Sequence, residues 1–272
     1  MTSSDQLTIG YAQQTITPSL DRKVYLAGFG RNRPAMGIHD DLYGRALALE
    51  LGETRLVLAA LDLLGFPRVY CQQIEARVNE KAPGTRLILA STHTHHGPDT
   101  IGMWGRSWFR SGVDPVYMTT VQHKVVETAL SALARRQPAR LRATATRVPG
   151  VAKNSRDPDI LDEELTCLQF RQAETEEPLA TLLILPCHPE VLWTDNVYIT
   201  SDYPGYLRQT VTRATGAPCL FLPGALGGMM TPDVPAHSFI EAERMGTTLA
   251  EAALEALAQA ETEPVETLSH AV

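Results

Sequence analysis

Residues 43–65 read YGRALALELGETRLVLAALDLLG, and this stretch decides the fold class. Two apolar runs flank the dipeptide Gly52-Glu53, which predicts two strands joined by a tight hairpin with glycine first in the turn. The second run is almost continuously apolar up to Asp62. Short apolar strands of this kind are typical of a sheet that is covered on both faces by other elements.

On both sides of this hairpin, the pattern of apolar residues predicts further strands alternating with helices. The predicted strands are RLILAS (86–91), LRATATRV (141–148), LTCLQF (165–170), ATLLILPC (180–187) and CLFLPG (219–224). The predicted helices cover residues 67–81, 114–136, 203–215 and 241–260. We therefore expect an α/β fold, a mixed β-sheet covered by helices, in a single domain over residues 1–272.

The composition bounds the function. The net charge of -7 argues against a nucleic-acid partner, and no apolar run reaches the roughly 18 residues that a membrane span requires. The first ten residues, MTSSDQLTIG, lack the basic and apolar regions of a secretory signal. The four cysteines are scattered, with no C-x-x-C motif, which favours free thiols in a reducing compartment. A cytoplasmic protein is the expectation.

Polar side chains stand where three of the apolar strands end. Asp62 ends the second strand of the hairpin, His93 and His95 follow RLILAS, and His188 follows TLLILP. In open α/β sheets, ligands bind beyond the carboxyl ends of the strands. If these strands are parallel neighbours, the four side chains meet at one edge of the sheet.

The segment STHTHHGP (91–98) holds three histidines within four positions. Side chains at positions i and i+2 of an extended segment point the same way, so His93 and His95 are predicted to face one pocket while Thr94 faces away. Neutral imidazole suits zinc, and a catalytic zinc usually has about three protein ligands. Three interpretations stay open: two metal ligands, one ligand beside an acid/base, or a polar loop whose histidines bond only to backbone.

Two further positions carry open alternatives. His39 precedes the first strand of the hairpin and could line the same pocket or lie in a surface turn. Asp202 could cap the helix that begins near Pro204, or it could orient a histidine. The glycine-rich segment 224–233 could let backbone amides approach an anion, although glycine-rich turns mostly serve tight geometry.

The sequence resembles the neutral/alkaline (non-lysosomal) ceramidase family of zinc-dependent amidases. STHTHHGP resembles the family's THTHSGP motif, and seven other segments lie along the chain in the family's order. They are ITPSLDRKVYLAGFG with GIHDDLYGRALALE, LAALDLLG, AKNSRDPDI, PCHPEVL with ITSDYPGY, and FLPGALGGMMTPD. The likeness runs from about residue 8 to about residue 258.

The resemblance implies the fold of that family's catalytic domain and a zinc cofactor bound by His93 and His188. It implies that His95 faces the substrate or assists proton transfer, where a zinc-bound water attacks an amide carbonyl. His96 and Thr231 stand where the family has serines, and Asn154 stands at a family asparagine, so these three are expected to contact substrate. With the pocket positions added, the candidate catalytic residues are His95, His39 and Asp62.

In that family, a glutamate and a tyrosine beyond the matched portion complete the zinc site. A third ligand here is expected from His95, Asp62, His39, another carboxylate or a partner chain. The predicted function is a zinc-dependent hydrolase of an amide (N-acyl) bond in a small-molecule substrate. Alternatives are ester, lactone or phosphoester cleavage on the same scaffold, and a non-catalytic ligand-binding remnant. Self-association into a homo-oligomer also stays open.

Overall fold

The computed structural model describes residues 6–271, which form one large sheet, two short two-stranded ribbons and four α-helices. The strands are β1 (Thr8–Thr15), β2 (Gly37–Ile38), β3 (Tyr43–Leu51), β4 (Thr54–Leu61), β5 (Thr85–Ser91), β6 (Gln137–Arg147), β7 (Ala152–Asn154), β8 (Glu164–Gln172), β9 (Pro178–Leu185), β10 (Tyr198–Ile199), β11 (Cys219–Pro223), β12 (Met230–Pro232) and β13 (Thr262–Glu263). The helices are α1 (Arg68–Lys81), α2 (Pro115–Ala134), α3 (Tyr203–Thr215) and α4 (Phe239–Gln259). The prediction of a mixed sheet with helices packed on it is confirmed.

The large sheet has the strand order β11-β9-β8-β6-β1-β3-β4-β5, with β13 added beside β6. The pairs at its two ends, β4 with β5 and β9 with β11, are parallel, and the pairs between them are antiparallel. The predicted hairpin is confirmed: Leu51 pairs with Thr54, and Gly52 has the positive φ of 58° that favours glycine.

The sheet divides into two halves that stack face to face. We call β1, β3, β4 and β5 the first half-sheet, and β6, β8, β9 and β11 the second. Among residues 6–271, strand pairing joins them where two residues of β1, Thr8 and Ile9, pair with the start of β6. One apolar cluster mixes side chains of both halves, such as Leu47 and Leu56 with Leu182 and Leu220.

Helices cover the two outer faces of this pair of half-sheets. Alternate residues of β4 show why: Leu56 and Ala60 face the other half-sheet, while Val57, Ala59 and Leu61 pack against helices. Helices α1 and α2 contact the first half-sheet, and α3 and α4 contact the second. The result is four layers, helix, sheet, sheet, helix, with an apolar cluster at each of three interfaces.

One topological prediction is wrong. Strands β4 and β5 are parallel neighbours as expected, but β9 is separated from them by four strands of the sheet order. The ends of β5 and β9 come together because the half-sheets fold over each other, and β11 contacts both β4 and β5. Their convergence therefore depends on sheet stacking and not on a shared parallel edge.

The four helices lie where periodicity predicts them. The apolar stripes of α2 and α4 are buried, including Val121 and Val125 of α2 and Leu249 of α4. In α1, Ile74 and Val78 are buried, whereas Val69 is 53% exposed. None of the helices within residues 6–271 combines the length and the apolar content needed to cross a membrane.

Candidate metal centre

His93 lies in a sharp turn directly after β5. Its φ of 71° is in the left-handed region, and its backbone N–H donates to the carbonyl oxygen of Leu63 over 2.9 Å. Its Nδ1 donates to the carbonyl oxygen of Leu64 over 2.7 Å, which leaves Nε2 as the free coordinating atom. The predicted extended geometry of this segment is wrong, because strand pairing ends at Ser91 and the chain turns at His93.

His188 follows β9 and is held by the neighbouring strand β12. Both its backbone N–H and its ring Nδ1 donate to the carbonyl oxygen of Met230, over 2.9 and 2.6 Å. This double contact fixes the ring orientation and again leaves Nε2 free. A hydrogen bond from Nδ1 to a backbone carbonyl oxygen therefore orients both His93 and His188.

His95 completes a group of three rings, which we call the histidine group: His93, His95 and His188. Their ring centroids are 5.1 to 5.5 Å apart, and one nitrogen from each ring lies within 4.8 Å of the other two. Both ring nitrogens of His95 are buried without a hydrogen-bond partner of good geometry. Unpartnered buried nitrogens are costly, and a bound metal ion would satisfy one of the two.

The electrostatics of the site favour neutral rings at His93 and His95. Burial, followed by the neighbouring His93 and His188, lowers the pKa of His95 to about 2. Burial, followed by His188, also lowers the pKa of His93, against the opposing effect of its hydrogen bond to Leu64. Neutral imidazole is the form that binds metals, so the residues present fit a divalent cation such as zinc.

Glu190 is a residue of this site that sequence analysis missed. It is 4% exposed, and its Oε2 lies 3.1 Å from Nδ1 of His95. Its other oxygen, Oε1, accepts a hydrogen bond of 2.8 Å from the Thr231 hydroxyl. Burial raises the pKa of Glu190, while the Thr231 hydrogen bond opposes the shift. A carboxylate two residues beyond His188 in the segment CHPE was the available signal.

His96 and Asp202 form a second buried pair beside the histidine group. The His96 ring is fully buried, with Nε2 3.4 Å from Oδ2 of Asp202. The Asp202 carboxylate also caps α3 by accepting from the backbone N–H of Tyr203 over 2.7 Å. The helix-cap interpretation of Asp202 is confirmed, and its carboxylate also lies beside His96. An orienting role of Asp202 and a substrate contact of His96 stay predictions.

Asp62 and His39 lie apart from the histidine group. The buried carboxylate of Asp62 pairs with Nη1 of Arg45 over 2.7 Å and with Nη1 of Arg208 over 3.0 Å. His39 stacks on Phe239 with a centroid distance of 3.8 Å and lines a separate cleft of about 720 Å³. Within residues 6–271, the cluster of metal-capable side chains contains neither of them, and their catalytic roles stay predictions.

Asn154 lies in β7 and Thr231 in β12, the two paired strands of one short ribbon. The Asn154 amide donates to the carbonyl oxygen of Ile160 and accepts from the backbone N–H groups of Arg156 and Asp157, which shapes its own loop. Thr231 is buried against Glu190. Substrate contact by either side chain stays a prediction, because the geometry gives both of them structural partners.

An aromatic wall, Phe29 and Trp193, stands over His95. The Phe29 ring lies 4.9 Å from the His95 ring, edge to face, and 5.2 Å from Trp193. Trp193 stacks on His237 and is 39% exposed, so the wall reaches the surface. It gives the centre an apolar approach on one side.

Gly28 packs directly against His95. A Cβ at this position would lie 2.5 Å from Cγ and 2.8 Å from Cα of His95, and the φ of Gly28 is 103°. We expect Gly28→Ala to displace His95, to weaken metal binding and to lower the free energy of unfolding by about 1–3 kcal/mol. Urea unfolding and metal analysis of the purified variant measure both effects.

Gly30→Ala is the matched control, because a Cβ at Gly30 meets no atom within 4 Å and needs no positive φ. This control is expected to stay within about 0.5 kcal/mol of the parent protein. Equal zinc content and equal stability in the two glycine variants would contradict the packing argument.

Comparison with solved structures identifies the fold. The chain matches the crystal structure of a neutral ceramidase from Pseudomonas aeruginosa with a TM-score of 0.83 and 23% identity, and a ceramidase complexed with C2 with a TM-score of 0.82 and 23% identity. The matches cover 97% of this chain and 46% and 45% of those chains, so it spans about half of their length. No protein-family model and no curated protein matches the sequence.

The chain thus has a ceramidase-like fold, and the predicted resemblance is confirmed at that level. A fold does not by itself decide a reaction or a substrate, so the function has to be argued from the site. The histidine group lies in this fold at the segments that carry the resemblance, STHTHHGP and PCHPEVL.

Proposed function

We propose that this protein is a zinc-dependent hydrolase that cleaves an amide (N-acyl) bond of a small molecule. The observation that carries the proposal is the meeting of His93, His95 and His188, from two half-sheets, with their coordinating nitrogens within 4.8 Å of one another. Support also comes from the ceramidase-like fold, because the two matched structures are those of ceramidases.

In this proposal, the three rings hold the metal through one nitrogen atom each, and hydrogen bonds behind the rings of His93 and His188 fix their orientation. When bound, zinc supplies a Lewis acid that polarises a carbonyl and lowers the pKa of water to near 7. The backbone carbonyls of Leu64 and Met230 keep the proton on Nδ1 of His93 and His188. The aromatic wall of Phe29 and Trp193 excludes water from one side and offers an apolar surface to the acyl part of the substrate.

The sequence leaves two roles open for His95, a proton acceptor or a third metal ligand. The geometry favours the ligand role, because Nδ1 faces Glu190 and the other nitrogen is left for the histidine group. A three-histidine set also matches the usual ligand count of a catalytic zinc, which keeps one position open for water or substrate.

The test is turnover on N-acyl amino acids, N-acyl amines and simple esters, before and after removal of metal with a chelator. We expect amide cleavage that is lost on chelation and restored by stoichiometric zinc. Activity confined to esters would reject the amide assignment. Full amide activity in verified metal-free protein would reject the metal.

A further inference from the structure

Strand β12 supports two of the three histidines through adjacent residues. The carbonyl oxygen of Met230 accepts from the ring of His188, and the hydroxyl of the next residue, Thr231, donates to Glu190. Glu190 in turn faces His95. The chain of contacts from Thr231 through Glu190 to His95 thus parallels the direct contact from Met230 to His188.

His95 differs from the other two members in what stands behind its ring. His93 and His188 donate to backbone carbonyls, whereas Nδ1 of His95 lies 3.1 Å from a carboxylate oxygen. Catalytic hydrogen bonds are often poorly aligned before a ligand is bound. A carboxylate behind a metal-binding histidine fixes the tautomer and raises the basicity of the ligand nitrogen.

The burial of Glu190 needs an explanation that its own hydrogen bonds do not supply. A carboxylate taken out of water is costly unless it is paired, and Thr231 satisfies only one of its two oxygens. The contact with His95 supplies a partner for the second oxygen. With a divalent cation beyond the ring, the negative charge of Glu190 would also offset part of the buried positive charge.

We propose that Glu190, held in place by Thr231, is a positioning residue that turns His95 into the third nitrogen ligand of the metal centre. This inference rests on the proposed function, because it assumes that the histidine group binds a metal ion. Thr231 would then help to position a metal ligand, in addition to or in place of its predicted substrate contact.

The test compares Glu190→Gln and Thr231→Val with the parent protein. Glutamine keeps the size of Glu190 and removes its charge, and valine keeps the shape of Thr231 and removes its hydroxyl. We expect Glu190→Gln to raise the zinc dissociation constant by about 10–100-fold, the range typical of such outer partners. Thr231→Val should weaken binding in the same direction by a smaller factor. Competition with a chromophoric chelator measures both constants.

A second measurement reports on ligand geometry independently of activity. Cobalt(II) placed in the site gives an absorption spectrum that depends on the number and arrangement of its ligands. We expect the Glu190→Gln spectrum to differ from that of the parent protein. Glu163→Gln is the matched control, because Glu163 is likewise a buried glutamate but binds Arg147 and the backbone N–H of Gly150.

The outcomes separate this inference from the function on which it rests. If the parent protein binds zinc and both variants keep its dissociation constant and cobalt spectrum, the positioning role is overturned and the proposed function stands. If the parent protein binds neither zinc nor cobalt, both fall. Should Glu190→Gln fail to fold, the Thr231→Val measurement alone decides, since an unchanged constant there overturns the proposed chain of contacts.

Discussion

Replacing either His93 or His188 by alanine is expected to abolish the bound metal, with zinc content falling from about one ion per chain to near zero. Each ring contributes one of three nitrogens, and two remaining histidines make a poor zinc site. The loss should exceed the roughly 10–100-fold that follows from removing an outer partner, because a ligand itself is removed. Elemental analysis of dialysed protein gives the result directly.

His123→Ala provides the matched control for these two variants. His123 is an exposed histidine of α2 whose ring contacts Arg77. It does not belong to the histidine group. Circular dichroism of each variant checks that the fold persists. The check is needed because His93 and His188 each also donate a hydrogen bond to a backbone carbonyl. Unchanged zinc in both His93→Ala and His188→Ala would remove the basis of the proposed centre.

Asp62→Asn is expected to lower the free energy of unfolding by about 3–5 kcal/mol, the cost of removing one partner from a buried ion pair. Asp62 is fully buried between the guanidinium groups of Arg45 and Arg208, which are themselves nearly buried. Burial alone would raise the pKa of Asp62, but Arg208 and Arg45 hold it below its usual value. Without this charge, two cations face each other in the interior.

The zinc content of folded Asp62→Asn is expected to equal that of the parent protein, because the carboxylate belongs to the two arginines. Urea unfolding measures the stability change, and Asp233→Asn serves as the control. Asp233 pairs with Lys153 at the exposed surface, where an ion pair contributes at most about 1 kcal/mol. A stable Asp62→Asn protein that had lost its zinc would instead favour the predicted role of Asp62 at the metal centre.

Local patterns predicted most of the elements, and the reason is physical. A helix or a hairpin is specified by neighbours in the sequence, so α3 begins and ends at the predicted residues and Gly52 lies in the predicted turn. The convergence of the histidines was predicted correctly for a partly wrong reason. The ends of β5 and β9 meet through the stacking of two half-sheets, which no local pattern encodes.

The same limit explains why the partners of the candidate site residues were missed. Asp62 stands at a strand end like the histidines, but its partner Arg208 comes from α3, 146 positions away. Glu190 lies beside His188 in the sequence, yet its importance depends on His95, which arrives from the other half-sheet. Residue type and spacing therefore identified the three histidines that the structure brings together, whereas the partners behind them required the tertiary structure.

The narrow joint between the half-sheets has a mechanical consequence. Only Thr8 and Ile9 of β1 pair with β6 there, while His93 and His95 follow one half-sheet and His188 follows the other. A metal ion bound by these three rings would hold the two half-sheets together on the side away from this joint. The binding affinity would then depend partly on the free energy needed to separate the two half-sheets. Free cation at about a hundred times its dissociation constant would raise the free energy of unfolding by roughly 2.7 kcal/mol.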